Sequence, residues 1–252
     1  MNKFFKLLWT TLWCAPIFII VVILSTLLIF FLVVLKQYDA ARPIPKIVSK
    51  IFLFAFGIRL KAHGKDTIDF DQQQIYVFNH LSNIDPFTSA SQVPTTARYL
   101  AKAEILKYPG FGMLLKYLHV PVRRYDKNDR DRSLKDLFDA IEKGYSLVIY
   151  PEGTRNGGPD LLKKFHKGAF YVSAKSKIPI VTCTGINVHK RLSSRSVLIS
   201  PGPVDFYWDG PFYPEDEDLE NLDGYMDKIK KTMNDRMLIA NPSGKLYDDD
   251  VA

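Results

Sequence analysis

The sequence predicts an α/β domain that follows an N-terminal membrane helix. An uncharged apolar run covers residues 12–35, and after residue 64 short β-rich runs alternate with longer helical stretches. The length of 252 residues fits one domain of ordinary size plus a membrane segment. With 47% hydrophobic and 24% charged residues, the composition excludes a chain that is disordered throughout.

The run from Leu12 to Leu35 is interpreted as the membrane helix. It contains no charged residue, and 24 helical residues are long enough to cross a hydrocarbon core of about 30 Å. The competing interpretation is a signal peptide, but the apolar region is too long and no small-residue cleavage site precedes Tyr38.

Positive charges near this helix predict its orientation. More of them lie on its C-terminal side, at Lys36, Arg42, Lys46 and Lys50, than on its N-terminal side, at Lys3 and Lys6. We therefore expect a membrane protein, of the inner membrane in a bacterium, whose main domain faces the cytoplasm. A helix that dips into the bilayer and returns on the same side would remove this inference.

A second apolar stretch runs from Ile47 to Leu60 and is too short to span a bilayer. Its flanking cations are typical of an interfacial segment, but a core helix of the following domain fits equally well. We divide the chain into a membrane anchor at residues 1–46, a main domain at 47–240 with the interfacial segment at 47–60, and an acidic tail at 241–252.

The remaining elements follow from hydrophobic periodicity. The predicted strands are Ile75–Phe78, Leu118–Val122, Ser146–Tyr150, Ile180–Ile186 and Val197–Ser200. One predicted helix starts at Pro86, and the others cover Asp129–Lys143, Lys167–Lys177 and Asp223–Leu238.

Charge indicates the class of partner. Residues 1–210 carry 29 Lys and Arg against 16 Asp and Glu, whereas residues 211–252 carry 5 against 11. A basic body favours anionic partners such as nucleic acid, phospholipid headgroups or phosphorylated substrates. Because of the membrane segment, we expect lipid and no nucleic acid.

Polar residues follow the first predicted strand directly, where His80 and Asp85 are the candidate catalytic pair. On one helix these residues would lie about 140° apart, so they can meet only in a turn. A histidine that a carboxylate orients can take a proton from a hydroxyl group. The simpler alternatives are a loop histidine and an N-cap, since Asp85 precedes Pro86.

A second polar cluster, residues 151–156, follows the strand at Ser146–Tyr150. Its glycine allows close backbone approach to a ligand, and the planar guanidinium of Arg155 matches a phosphate group. The alternative is a Glu152–Arg155 salt bridge in a turn. Another β-like run ends at Arg124, which suits a phosphate beside a membrane.

These residues resemble the glycerophospholipid acyltransferase family, most closely the 1-acyl-sn-glycerol-3-phosphate acyltransferases. The family motif NHxxxxD is matched by Asn79, His80 and Asp85, and the motif EGTR by residues 152–155. Either motif alone is a weak signal, but both in this order and about 70 residues apart are a strong one.

Two further motifs match only in part. The second family motif ends in an arginine at Arg124, but Leu118 and Pro121 stand where glycine and phenylalanine are usual. The fourth motif is matched by residues 178–181, with Thr182 in place of proline. The resemblance extends over roughly residues 50–205.

The resemblance implies a mixed sheet flanked by helices and transfer of an acyl chain from an acyl-CoA or acyl-carrier-protein thioester to a lysophospholipid hydroxyl. With 1-acyl-sn-glycerol-3-phosphate the product would be phosphatidic acid. His80 would be the general base and Asp85 its orienting partner, without metal or cofactor. The residues expected to bind substrate are Arg124, Glu152, Gly153, Thr154 and Arg155.

Three other functions compete with this interpretation. An acyltransferase for another lysophospholipid fits the same residues. A non-catalytic, membrane-anchored lipid-binding protein would explain the arginines but not the His80 and Asp85 pair. A hydrolase is disfavoured because the chain has no GxSxG nucleophile motif.

Overall fold

The computed structural model describes residues 2–102, 119–122 and 127–246. Its helices are α1 (Lys3–Val34), α2 (Tyr38–Ala41), α3 (Ile44–Ala55), α4 (Asp85–Ala90), α5 (Lys127–Glu142), α6 (Gly168–Ser176), α7 (Val188–Arg191) and α8 (Leu222–Ala240). Its strands are β1 (Ile58–His63), β2 (Ile75–Phe78), β3 (Arg98–Lys102), β4 (His119–Val122), β5 (Leu147–Ile149), β6 (Ile180–Ile186) and β7 (Gly202–Phe212).

The described strands form one mixed sheet in the order β1-β7-β6-β2-β5-β3-β4. Strand β7 is antiparallel to β6 and parallel to β1, and the remaining neighbours are parallel. Every residue of β2, β5 and β6 is buried, as expected for strands covered on both faces. The predicted α/β fold with a mixed sheet flanked by helices is confirmed.

Most predicted elements are present, with ends that move by one or two residues. The closing helix forms as α8, with Tyr225, Ile229 and Met233 buried at helical spacing. The strand predicted at Val197–Ser200 is wrong, because that segment is irregular and the strand begins at Gly202.

Three strands, β1, β3 and β7, have no counterpart among the predicted elements. Strand β1 lies at the sheet edge and alternates apolar residues with Arg59, Lys61 and His63, a pattern that in the sequence resembles the charged flank of an apolar segment. Strand β7 buries Val204, Phe206 and Trp208 at a period of two, a signal hidden by its terminal Gly and Pro residues.

Helix α1 is long and apolar enough to cross a membrane, and its N-terminal half docks on the domain. Trp13 Nε1 donates to the carbonyl of Ala55 at 2.8 Å, and Thr10 Oγ1 accepts from the amide of Ile199 at 2.8 Å. These contacts fall in a π-helical stretch, Trp9–Cys14, whose Cys14 is fully buried. The helix is therefore fixed to the domain by packing as well as by chain connection.

The apolar stretch at 47–60 divides into α3, a turn and the start of β1. Phe52 and Leu53 are buried in the domain core, whereas Ile47, Ile51 and the 88% exposed Phe54 lie on the other face of α3. One face of this helix is thus core, and the opposite apolar face is open.

The described residues of the predicted tail pack on the domain. Leu246 is buried, and its amide donates to the carbonyl of Pro159 at 2.7 Å, while Lys245 forms a β-bridge with Asp160. Residues 241–246 therefore lie against the loop that follows β5.

The end of β2 is held by a side chain that imitates backbone pairing. Buried Asn79 donates from Nδ2 to the carbonyl of Gly185 at 2.9 Å and accepts the Gly185 amide at 2.8 Å. This closed pair of hydrogen bonds continues the β2–β6 ladder by one residue and fixes the backbone that leads to His80.

We expect Gly185→Ala to destabilise the domain by about 1–3 kcal/mol, the usual cost of overpacking a core. A Cβ at Gly185 would lie 2.7 Å from Phe206 Cε1 and 2.9 Å from Val188 Cγ2. Thermal unfolding in detergent measures the effect. Gly168→Ala is the matched control, because a Cβ there meets no atom within 4 Å. Equal melting temperatures for both variants would contradict the tight packing at Gly185.

Candidate active site

Two polar loops meet at the carboxyl ends of β2 and β5. These strands are parallel neighbours, with Val77 paired to Ile149, so the residues that follow them emerge at the same edge of the sheet. Such an edge is the usual position of a ligand site in an open α/β sheet. The amide of Asn156 donates to the carbonyl of His80 at 2.6 Å and joins the two loops directly.

His80 and Asp85 form a hydrogen-bonded pair in the loop after β2. His80 Nδ1 lies 2.7 Å from Asp85 Oδ2, and the His80 side chain is 19% exposed while that of Asp85 is buried. With the carboxylate as acceptor, Nδ1 carries the proton and Nε2 is the basic nitrogen. In the described part of the chain, Nε2 has no protein hydrogen-bond partner.

The proposed capping role of Asp85 is wrong. Helix α4 begins at Asp85 itself and its N-cap is Ile84. The Asp85 carboxylate is directed back along the chain, where Oδ2 also accepts the amides of Leu81 at 2.7 Å and Ser82 at 2.8 Å. Asp85 therefore shapes the turn that carries His80 instead of capping the helix that follows.

Burial raises the pKa of Asp85 above the ordinary value of a carboxyl group, and hydrogen bonds from His80, Ser82 and Leu81 act in the opposite direction. The three N–H donors converge on Oδ2, an arrangement that stabilises the ionised form. The ionised form is also the one that can stabilise a protonated imidazole.

Glu152 connects the two loops through its buried carboxylate. Oε1 accepts the amide of His80 at 2.8 Å, and Oε2 accepts the amide of Lys163 at 3.0 Å. Burial raises the pKa of Glu152 to about 7, although both amide hydrogen bonds oppose the shift. Both oxygens accept backbone amides, so the structure does not support the alternative of a Glu152–Arg155 salt bridge.

The other residues of the second loop are more open. Gly153 has φ of +69°, a conformation that favours glycine, and it turns the chain towards Thr154 and Arg155. Both side chains are exposed, with Thr154 Oγ1 accepting from Lys163 Nζ at 2.8 Å and Arg155 Nη1 donating to Asn83 Oδ1. The predicted substrate-binding residue Arg124 lies outside the described residues.

Sequence reasoning missed two residues of this site. Asn83 holds Arg155 but occupies one of the unspecified positions of NHxxxxD. Tyr150 was assigned to the end of a strand, yet its ring centroid lies 4.5 Å from that of His80, and its hydroxyl donates to the Asp85 carbonyl at 3.0 Å. The only sequence signal was their polarity next to the motifs.

An apolar cavity of about 450 Å³ lies between α1, α3 and α4. Its lining includes Phe18, Phe52, Pro86, Phe87 and Tyr99, and His80 is not part of it. Pro86 and Phe87 directly follow Asp85, so one end of the cavity begins within a turn of the candidate catalytic pair.

Comparison with known proteins places these loops in a family. The acyltransferase family model matches residues 59–185. The 1-acyl-sn-glycerol-3-phosphate acyltransferase of Cocos nucifera is 26% identical over 187 residues, which are 73% of this chain and 59% of that protein. The protein of the same name from Limnanthes alba is 28% identical over 185 residues, which are 73% and 65% of the two chains. The chain thus spans less than two thirds of the length of these curated relatives.

A solved structure shares the fold. The crystal structure of the 1-acyl-sn-glycerophosphate acyltransferase from Thermotoga maritima matches with a TM-score of 0.71 and covers 92% of this chain and 97% of that one. At 22% identity, this likeness establishes a common fold.

Glu152 makes stability depend on pH in a defined direction. Its pKa rises from 4.5 to about 7 on folding, so between these values the unfolded chain ionises first and the folded state loses stability as pH rises. We expect wild type to lose on the order of 3 kcal/mol relative to Glu152→Gln across this window. Melting temperatures of both proteins in detergent at pH 5 and pH 8 measure the change. Parallel behaviour of the two proteins would exclude a titrating Glu152.

Proposed function

Because the chain belongs to the acyltransferase family, we propose that it transfers an acyl chain from an acyl thioester to the free hydroxyl of a lysophospholipid, with 1-acyl-sn-glycerol-3-phosphate as the first candidate acceptor. The His80–Asp85 pair at 2.7 Å is the observation that carries this proposal. A lipid-binding protein without catalysis has no use for a partly exposed imidazole held in one tautomer by a buried carboxylate.

The reaction follows from the orientation of His80. Nε2 removes the proton of the acceptor hydroxyl as its oxygen attacks the thioester carbonyl carbon. The tetrahedral intermediate collapses, the C–S bond breaks, and the imidazolium returns the proton to the departing thiolate. Between these two steps, Asp85 holds the imidazole ring and stabilises its positive charge. Because the acceptor oxygen attacks the thioester directly, no acyl-enzyme forms.

The acceptor's phosphate would bind at the second loop. Arg155 is exposed beside the loop that carries His80 and is held in place by Asn83 of that loop. Gly153 and Thr154 allow a ligand to approach the backbone. This arrangement supports an acceptor with an anionic headgroup, and another anionic lysophospholipid is the alternative acceptor. The predicted role of Arg124 in the same contact stays a prediction.

The apolar cavity beside α4 offers a place for an acyl chain. Its position next to the first turn of that helix would allow a chain to extend from the reacting carbonyl into an apolar environment. The thioester donor, from coenzyme A or a carrier protein, is part of the proposal.

We also propose a membrane location, with α1 in the bilayer and the domain on the cytoplasmic face, as the cations at residues 36–50 predict. The contacts of Thr10 and Trp13 support a domain held close to the lipid. The domain boundaries after residues 46 and 240 remain a prediction.

Product analysis tests the activity itself. Protein purified in detergent is incubated with acyl-CoA or acyl-carrier protein and a panel of lysophospholipids, and the products are identified by mass spectrometry. We expect phosphatidic acid from 1-acyl-sn-glycerol-3-phosphate. No acylated product with any pair would favour the lipid-binding function.

His80→Ala should lower kcat by roughly 10²-fold to 10⁴-fold, as expected for loss of a general base, with little change in lipid binding. Asp85→Asn should also be slow, because asparagine cannot stabilise the imidazolium. Steady-state kinetics measure both variants, and His166→Ala, an exposed histidine near the second loop, is the control. Full activity of His80→Ala would refute this mechanism.

Arg155→Ala should raise KM for the acceptor roughly tenfold and leave kcat nearly unchanged, because a phosphate contact exists before and during the reaction. Arg155→Lys should restore the affinity only in part, since an ammonium group lacks the planar fork. Lys164→Ala removes a nearby exposed charge and serves as control. An unchanged acceptor KM in Arg155→Ala would show that Arg155 does not bind the phosphate.

A further inference from the structure

A third loop contacts the two loops of the candidate active site and lies outside both complete motifs. It comprises residues 192–196, after the short helix α7. The segment from Asn187 to Val204 contains Lys190, Arg191 and Arg195 and no acidic residue. The net charge of this segment is therefore positive.

The loop is joined to the loop that carries His80. Ser193 forms an antiparallel β-bridge with Ser82, and Ser82 Oγ donates to the carbonyl of Leu192. Asn83 Nδ2 donates to the carbonyls of Ser193 at 3.5 Å and Ser196 at 3.4 Å. Since Oδ1 of the same Asn83 accepts from Arg155, one side chain connects this loop with the guanidinium of Arg155.

The loop also contacts the chain just beyond Arg155. Ser194 Oγ donates to the carbonyl of Asn156 at 3.4 Å. A Cβ placed on Gly157 would lie 3.2 Å from Ser194 Oγ, 3.3 Å from Arg195 Nε and 3.8 Å from Arg195 Cγ. The Arg195 side chain therefore lies against Gly157, close enough that an added Cβ would press on it.

Arg155 and Arg195 are thus two exposed residues on loops that contact each other. Arg155 is anchored on Asn83, and Arg195 lies over Gly157, two residues further along the same loop. The carboxylates of Asp85 and Glu152 are buried and accept backbone amides. A phosphate group has several acceptor oxygens and is matched well by more than one arginine.

We propose that Arg195 is a further phosphate-binding residue of this site. The inference rests on the proposed function, and it adds a residue from outside both complete motifs. The phosphate belongs either to the headgroup of the acceptor or to the coenzyme A of the donor. In both cases the contact is a charge-assisted hydrogen bond from the guanidinium.

Kinetics of Arg195→Gln test the proposal in uncharged detergent micelles, which remove any attraction to an anionic surface. KM is measured for 1-acyl-sn-glycerol-3-phosphate at saturating acyl-CoA, and for acyl-CoA at saturating acceptor. We expect roughly a tenfold increase in one of the two KM values, with kcat nearly unchanged. An increase for the acceptor assigns Arg195 to the headgroup, and an increase for the donor assigns it to coenzyme A. Arg195→Lys should recover part of the loss.

Lys190→Gln is the matched control, because it removes one positive charge from an exposed position of the same segment. Gly157→Ala is a second probe: its added methyl group should displace Arg195 and raise the same KM. If wild type and Lys190→Gln are active and Arg195→Gln keeps both KM values, the role of Arg195 is refuted while the proposed function stands. An inactive wild type would instead refute the proposed function.

Discussion

The buried carboxylate of Glu152 is the constraint on which the candidate site depends. By accepting the amides of His80 and Lys163, it fixes two loops from neighbouring strands with a single side chain. A buried carboxylate is costly to desolvate, and the cost appears as its raised pKa. The two hydrogen bonds from backbone amides offset part of this cost. Glu152 is therefore a residue of loop geometry more than of substrate contact.

The strand order explains why the two loops can be joined at all. Strand β2 lies between β5 and β6, both parallel to it, so its carboxyl end opens between two neighbouring connections. Asn79 fixes the exit of β2 by pairing with Gly185, and Asp85 then closes the turn on the amides of Leu81 and Ser82. His80 is thus held on both sides by neighbours in the chain, which gives its imidazole one orientation before any substrate binds.

The apolar helix α1 is part of the same arrangement. Its hydrogen bonds to the domain involve Thr10 and Trp13, and Phe18 stacks on Phe52 of α3 with ring centroids 4.9 Å apart. Helix α3 in turn packs on α4, whose first residue is Asp85. The apolar cavity lies among these three helices, so the helix that could enter a membrane also forms part of the wall beside the candidate catalytic pair.

The sequence by itself determined the α/β class, the apolar helix, most strands and the pairing of His80 with Asp85. These features depend on local periodicity and on residue types at short spacing, which a chain carries without its fold. Tertiary structure decided what depends on residues far apart in sequence. Only the tertiary structure brings Glu152 to the amide of His80 and places Asn83 between Arg155 and the loop of Arg195. The edge strand β1 could not be predicted for the same reason, because its partner β7 lies about 140 residues further along the chain, and backbone pairing with that partner defines it as a strand.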